Sequence, residues 1–148
     1  MSNNDKLPFE TTIEVRDACL CLHLQRAARA VARRFDAALR PLGLTSGQFS
    51  LLMSLNRPDP ASIGSVSALL AMDRTTLTAN LKPLERRGLV AVQNDAMDKR
   101  TRRLTLTAKG SALLRSVVPV WRQTHAEIDG LLAGSNSERL CADLRALS

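Results

Sequence analysis

Between residues 13 and 42, apolar side chains return every third or fourth position as Leu20, Leu24, Ala27, Val31, Phe35, Ala38 and Leu42. That is the period of a helix with one apolar stripe. Cys21, Ala28, Ala32 and Leu39 widen the stripe, and Arg26, Arg29, Arg33 and Arg40 take the opposite side. Pro41 and Gly43 stop the pattern; proline cannot donate to a helix and glycine accepts the turn that ends one. The segment LTSGQFSLLMSL (44–55) opens a second helix, with Thr45 at the cap and Gln48 three residues on, the spacing of a reciprocal capping box. RPDPA (57–61) reads as a turn. Ser62 then caps a short helix through Leu70, and after Ala71, Met72 and Asp73 a further helix runs from Arg74 to about Arg87, capped by Asp73 and ended by Gly88. Helix, three-residue turn, helix is the helix-turn-helix arrangement.

Beyond Gly88 the period changes. LVAV (89–92) and RLTLT (103–107) are short β-prone runs joined by the charged segment QNDAMDKRTR, a hairpin with a long, basic loop. Helical spacing resumes from about Ala108 with Leu113, Leu114, Val117, Trp121, Thr124, Ile128 and Leu131, where Pro119 predicts a kink, and a last short helix starts at Ser137. The expected fold class is therefore mainly α with a small β-hairpin wing. The expected domain organisation is one domain over 1–148, with long helices at about 13–42 and 108–148 flanking a winged helix-turn-helix at about 44–107.

Composition narrows this picture in two ways. Hydrophobic residues make up 45% of the 148 positions, but aromatics only 3% and tyrosine is missing; packed helices suit that mixture better than a sandwich. The formal charge of +7 favours a polyanionic partner, since cations that neutralise phosphates release condensed counterions. No apolar run approaches the roughly 20 residues that cross a bilayer, and the leader ending near Pro8 is polar. Three cysteines, Cys19, Cys21 and Cys141, do not make a disulfide framework. A cytoplasmic protein without membrane partner, metal or cofactor is expected.

The chemistry concentrates in the helix from Arg74 and in the hairpin loop. Leu77, Leu81 and Leu84 fall on one arc and must face the core, so Thr75, Thr76, Ala79, Lys82 and Arg86 face away. That far side is short, polar and cationic, which suits a helix entering a major groove about 12 Å wide. Arg74, Thr75, Thr76, Thr78, Lys82 and Arg86 are its candidate DNA contacts. Pro83 predicts a bend near Ala79. In the loop, Lys99, Arg100, Arg102 and Arg103 surround Asp98. Lys99, Arg100 and Arg102 are candidates for phosphates and the negative potential of a minor groove, and Asp98 for orienting Arg100 or Arg102.

The segment DKRTRRLTLTAKG (98–110) resembles the wing signature of the MarR (multiple antibiotic resistance regulator) family, with Asp98, Arg100, Leu104, Leu106, Thr107 and Gly110 in place. LGLTSGQFSLL (42–52) is similar to the opening of that family's second helix and LERRGLV (84–90) to the end of its recognition helix; the likeness covers residues 15–132. It implies a homodimer whose N- and C-terminal helices interlock, each protomer reading half of a pseudo-palindromic double-stranded operator, with Arg100 at the wing tip in the minor groove. It also implies a repressor released by a small ligand, commonly an aromatic or phenolic acid, bound where the first long helix meets the winged part; Arg16, His23 and Arg26 lie on that helix.

Cys21 aligns by position with the peroxide-sensing cysteine of the family's organic hydroperoxide repressors, but those proteins hold the thiolate with tyrosines, which this chain lacks. On a continuous helix Cys19 and Cys21 would point about 160° apart, too far for a mutual disulfide or a shared metal. Cys21 is expected to be a buried packing residue, with a redox-sensing repressor as the alternative. A thiol enzyme built on Cys19, Cys21, His23 or His125 finds no accompanying acid, base or phosphate-loop motif. A basic DNA-binding module without sequence preference is the remaining competitor.

Overall fold

The computed structural model describes residues 6–148, so the first five residues of the polar leader lie outside the described residues. In chain order the elements are α1 (Phe9–Ala18), α2 (Leu20–Leu39), a 3-10 turn (Arg40–Leu42), α3 (Ser46–Ser54), β1 (Ala61–Ser62), α4 (Ile63–Leu70), α5 (Arg74–Arg86), β2 (Val90–Asn94), β3 (Arg102–Leu106), α6 (Ala108–Asp129) and α7 (Ser137–Arg145). They fall into two compact units that divide between Arg34 and Phe35.

The first unit departs from the single helix expected from residue 13. Helix formation begins earlier, at Phe9, and breaks at Cys19, whose ψ of 108° is extended. The stripe of apolar residues on α2 hid the break, because periodicity counts side chains and is blind to one residue's backbone angle. The consequence is a correction: Cys19 and Cys21 do not share one continuous helix, so their angular separation cannot be taken from helix geometry. Phe9, Val15 and Leu20 are 70%, 53% and 58% exposed.

In the second unit, Leu39, Leu51, Leu52, Leu77, Leu84, Leu89, Leu104 and Val117 are essentially inaccessible and pack as one core. They come from α2, α3, α5, β3, α6 and the segment entering β2, so each element contributes the apolar face that its period predicted. The caps form as the spacing required. Thr45 Oγ1 accepts from Gln48 N at 3.1 Å while Gln48 Oε1 accepts from Thr45 N at 3.0 Å, and Ser62 Oγ accepts from Ser65 N at 3.1 Å. Neither interior proline ends its helix: α5 continues past Pro83 to Arg86 and α6 past Pro119 to Asp129.

The sheet holds one strand more than the hairpin predicted. Its order is β1-β3-β2, with Val90 opposite Leu106 and Asn94 opposite Arg102 in one antiparallel pair and Ala61 opposite Leu104 in the other. β1 is two residues long, and its Ser62 also caps α4, so the cap signal masked the strand. The strands run further toward the tip than expected, and the loop shrinks to 95–101. At the base of the hairpin Gly110 sits where a Cβ would run into the Leu89 carbonyl oxygen, which lets α6 start directly against the entry to β2.

Candidate nucleic-acid interface

α4 and α5 meet through a turn in which Ala71 adopts φ +50° and its N–H and that of Met72 close back on the α4 carbonyls of Ala68 and Ser67. Asp73 then starts α5. Its carboxylate accepts from Thr76 N and from Thr76 Oγ1, both at 2.8 Å. These two donors, the backbone N–H first, hold the Asp73 carboxyl below the ordinary carboxylate range. The hydroxyl proton of Thr76 is thereby committed to the cap, leaving its oxygen as an acceptor only. Leu77, Leu81 and Leu84 are 0%, 4% and 0% exposed. Thr75, Thr76, Ala79, Lys82 and Arg86 are exposed as their positions required, and Thr78 is half-buried.

The wing is organised by two aspartates. Asp95 accepts from the Met97 amide at 2.9 Å through one oxygen and from Arg103 Nε and Nη2 at 3.0 and 2.8 Å through the other. The Met97 amide, then Arg103, push the Asp95 carboxyl below its ordinary value. Asp98 accepts from the Arg100 amide at 3.0 Å and from Thr101 Oγ1 at 3.1 Å. Asp98 therefore holds the Arg100 backbone amide and makes no ion pair with the guanidinium of Arg100 or Arg102. The carboxylate that pairs with a wing arginine is Asp95, and the cation it ties down is Arg103. Asp95 and Arg103 flank the loop at a separation of 8 residues, and opposite charges placed across a hairpin are the signal that would have found them. Arg102 belongs to β3 instead of the loop.

The helix and the wing converge. A recess of about 340 Å³ is lined by Ser62, Ile63 and Gly64 at the start of α4, by Arg74 and Thr78 of α5, and by Arg100, Thr101 and Arg102 of the wing. Arg74 lies over Gly64, with its Nη2 at 3.2 Å from where a Cβ on that glycine would stand. Three arginines from two separate elements thus open on one concavity, joined by the N-terminal turn of α4. Such a surface is suited to a phosphate or another anion. Lys82 and Arg86 do not line this recess.

The remaining predicted residues lie elsewhere. Arg16 pairs with Asp17 at 2.8 Å on an exposed surface, and His23 Nε2 lies 3.1 Å from the Asp17 carbonyl oxygen; Arg26 is exposed. Cys21 is exposed, with the Gln25 amide 3.4 Å from its sulfur, which overturns its expected burial within the chain. On the same helix Leu20, Ala27 and Ala28 are exposed and Leu24 and Phe35 only partly buried. Among the described residues no cluster of His, Cys, Asp and Glu could hold a metal, and no helix is long and apolar enough to cross a membrane.

Helix-turn-helix, flanking three-stranded wing and cationic recess define a winged helix-turn-helix protein. Comparison with known proteins gives the family. The sequence model of the MarR family matches residues 44–101. The M. tuberculosis transcriptional regulator MosR, solved in complex with DNA, is 40% identical, aligned over 87% of this chain and 92% of its own, with a TM-score of 0.79. CouR, a transcriptional repressor solved on a 23-mer DNA duplex, is 28% identical over 97% of this chain and 99% of its own, with a TM-score of 0.80. Bordetella bronchiseptica BpsR, whose DNA binding is regulated by 6-hydroxynicotinic acid, is 28% identical over 86% and 91%, with a TM-score of 0.78. The chain belongs to the MarR family, and it is a DNA-binding transcriptional regulator.

Proposed function

We propose that the protein is a cytoplasmic, non-enzymatic repressor that binds a pseudo-palindromic operator as a homodimer and leaves it when a small aromatic acid binds. The observation that carries the DNA-binding geometry is the recess that brings Arg74, Arg100 and Arg102 together beside the exposed polar face of α5. In this reading Thr75, Thr76, Thr78, Lys82 and Arg86 address the major groove, Lys99 and Arg100 the adjacent minor groove, and Arg74 and Arg102 the phosphates between them. Asp98 keeps the Arg100 backbone in place.

The dimer follows from the apolar surface that one chain leaves open. On α1, α2 and the C-terminal region, Phe9, Leu20, Leu131, Leu140, Leu144 and Leu147 are each 37% or more exposed, and a second copy of the same helices is their natural cover. The domain is read as one unit of function over 1–148, with about 13–42 and 108–148 for dimerisation and about 44–107 for DNA. Regulation of BpsR by 6-hydroxynicotinic acid supports an aromatic acid as effector class, with Arg16, His23 and Arg26 as candidate anchors. A redox-sensing repressor is the second reading, favoured by the exposed thiol of Cys21 two residues beyond a helix break.

Selection of bound duplexes from random DNA tests the central claim. A recurring pseudo-palindrome bound far more tightly than scrambled duplex is expected; equal affinity for both would leave a non-specific basic module. Sedimentation of the full chain should give a dimer at micromolar concentration, and a monomer would refute that part. Peroxide treatment with and without Cys21→Ser separates the two modes of regulation: loss of binding only in the parent establishes the redox reading.

A further inference from the structure

The recognition helix α5 is gripped at its C-terminal end by contacts that neither the DNA-facing residues nor the core require. The Arg87 side chain does not extend from the basic face. It turns back to donate from Nη1 to the Gly43 carbonyl oxygen at 2.7 Å, across 44 residues of sequence. Gly43 is the corner that follows the 3-10 turn after α2, at φ +74°. A side chain there would be strained by that φ, and its Cβ would stand 3.1 Å from Arg87 Nη2, so the corner leaves room for the guanidinium. The Arg87 carbonyl meanwhile accepts from Lys109 Nζ at 2.7 Å, and the Gly88 carbonyl accepts from Thr107 Oγ1 at 2.6 Å. Both donors belong to the start of α6.

One short segment, Arg87 and Gly88, therefore joins three things: the end of α5, the corner after α2 and the first turn of α6. The buried leucines Leu77, Leu81 and Leu84 fix which face of α5 turns inward, but a row of contacts along one side of a cylinder resists tilt weakly. Ties at one end oppose that tilt. Thirteen residues make a helix about 20 Å long, so a tilt of about 5° moves its far end by about 2 Å, beyond the tolerance of hydrogen bonds to base edges.

We propose that Arg87 is a positioning residue for DNA recognition: its bond to Gly43 sets the tilt of α5 and hence the separation of the two recognition helices in the dimer. The inference rests on the dimer reading above, in which about 13–42 and 108–148 carry the interface. Arg87 acts through Gly43 and touches no DNA.

The test uses the full chain and an operator obtained by selection, together with the same half-sites moved apart or together by one base pair. Arg87→Ala should lower affinity for the selected operator on the order of tenfold, the weight of one charge-assisted hydrogen bond. Affinity for the respaced operators should change far less, so that discrimination by spacing narrows. Its dependence on salt should keep the parent slope. Arg87→Lys, which keeps the charge but not the planar fork, should lose discrimination similarly. A slope reduced by about 0.9 would make Arg87 a phosphate contact and overturn the proposal. So would equal losses on all operators with lowered melting temperature, the mark of a merely structural bond. Sedimentation of the same samples distinguishes the two levels of failure: a dimeric parent with unchanged spacing preference in Arg87→Ala refutes the clamp alone, and a monomeric parent refutes the dimer reading and the clamp with it.

Discussion

The recognition helix and the wing reach the same recess by opposite means. α5 rests on three leucines that are at most 4% exposed, is capped by Asp73 and is tied at its far end through Arg87. The wing loop has no core beneath it: Met97 is 95% exposed, and the loop keeps its shape by hydrogen bonds that its own amides donate to Asp95 and Asp98. An element held by burial presents its side chains at fixed registers, which is what base-edge recognition demands. One held by its own turns can follow a groove, which is enough for a cation attracted by phosphates and groove potential.

The largest difference between them should appear in stability. Leu77→Ala should cost about 2–5 kcal/mol, the usual range for a leucine removed from a packed core. Met97→Ala should stay within about 0.5 kcal/mol. Urea unfolding of both variants measures this, and similar midpoints would break the contrast. Next comes DNA affinity: Arg100→Ala should weaken binding to selected and scrambled duplexes alike by about 1–3 kcal/mol and flatten the salt dependence, with no change in unfolding. An unaltered salt slope would reduce the wing to a solvated hairpin.

Lys82→Ala should have a smaller and different effect, on the order of 1 kcal/mol, larger on the selected operator than on scrambled duplex, so that their ratio narrows. Equal losses on both would place Lys82 among the phosphate contacts and blur the comparison. The finest test is acid. Asp73 and Asp95 both have folded-state carboxyls below their ordinary value of 3.8, so the stability each contributes is present above that pH and is lost as pH falls through the lower folded value. Amide resonances of Thr76 and Met97 followed by NMR should titrate with midpoints below 3.8. A midpoint at or above it for Met97 alone would mean that the wing turn is not formed in solution while the helix cap is.

Much of this architecture was legible in the sequence because its determinants are local. Thr45, Ser62 and Asp73 each cap the helix they precede, by accepting from an amide three residues on; a spacing of three is visible in one dimension. The leucines of α5 were equally plain, since helical period alone decides which side they share. The exposed polar face opposite them followed without further information.

Other features depended on parts of the chain that only folding brings together. β1 exists because Ala61 finds Leu104, and Arg103 is withdrawn from the basic loop because Asp95 stands across the hairpin from it. Arg87 turns away from the basic face because the Gly43 carbonyl lies within its reach. The break at Cys19 and the exposure of Cys21 were likewise closed to a periodic reading. Sequence spacing determines hydrogen bonds made within a turn or two and the face on which apolar residues gather. Which distant carbonyl or carboxylate a long cationic side chain meets depends on how those faces pack, and the tertiary structure alone decides it.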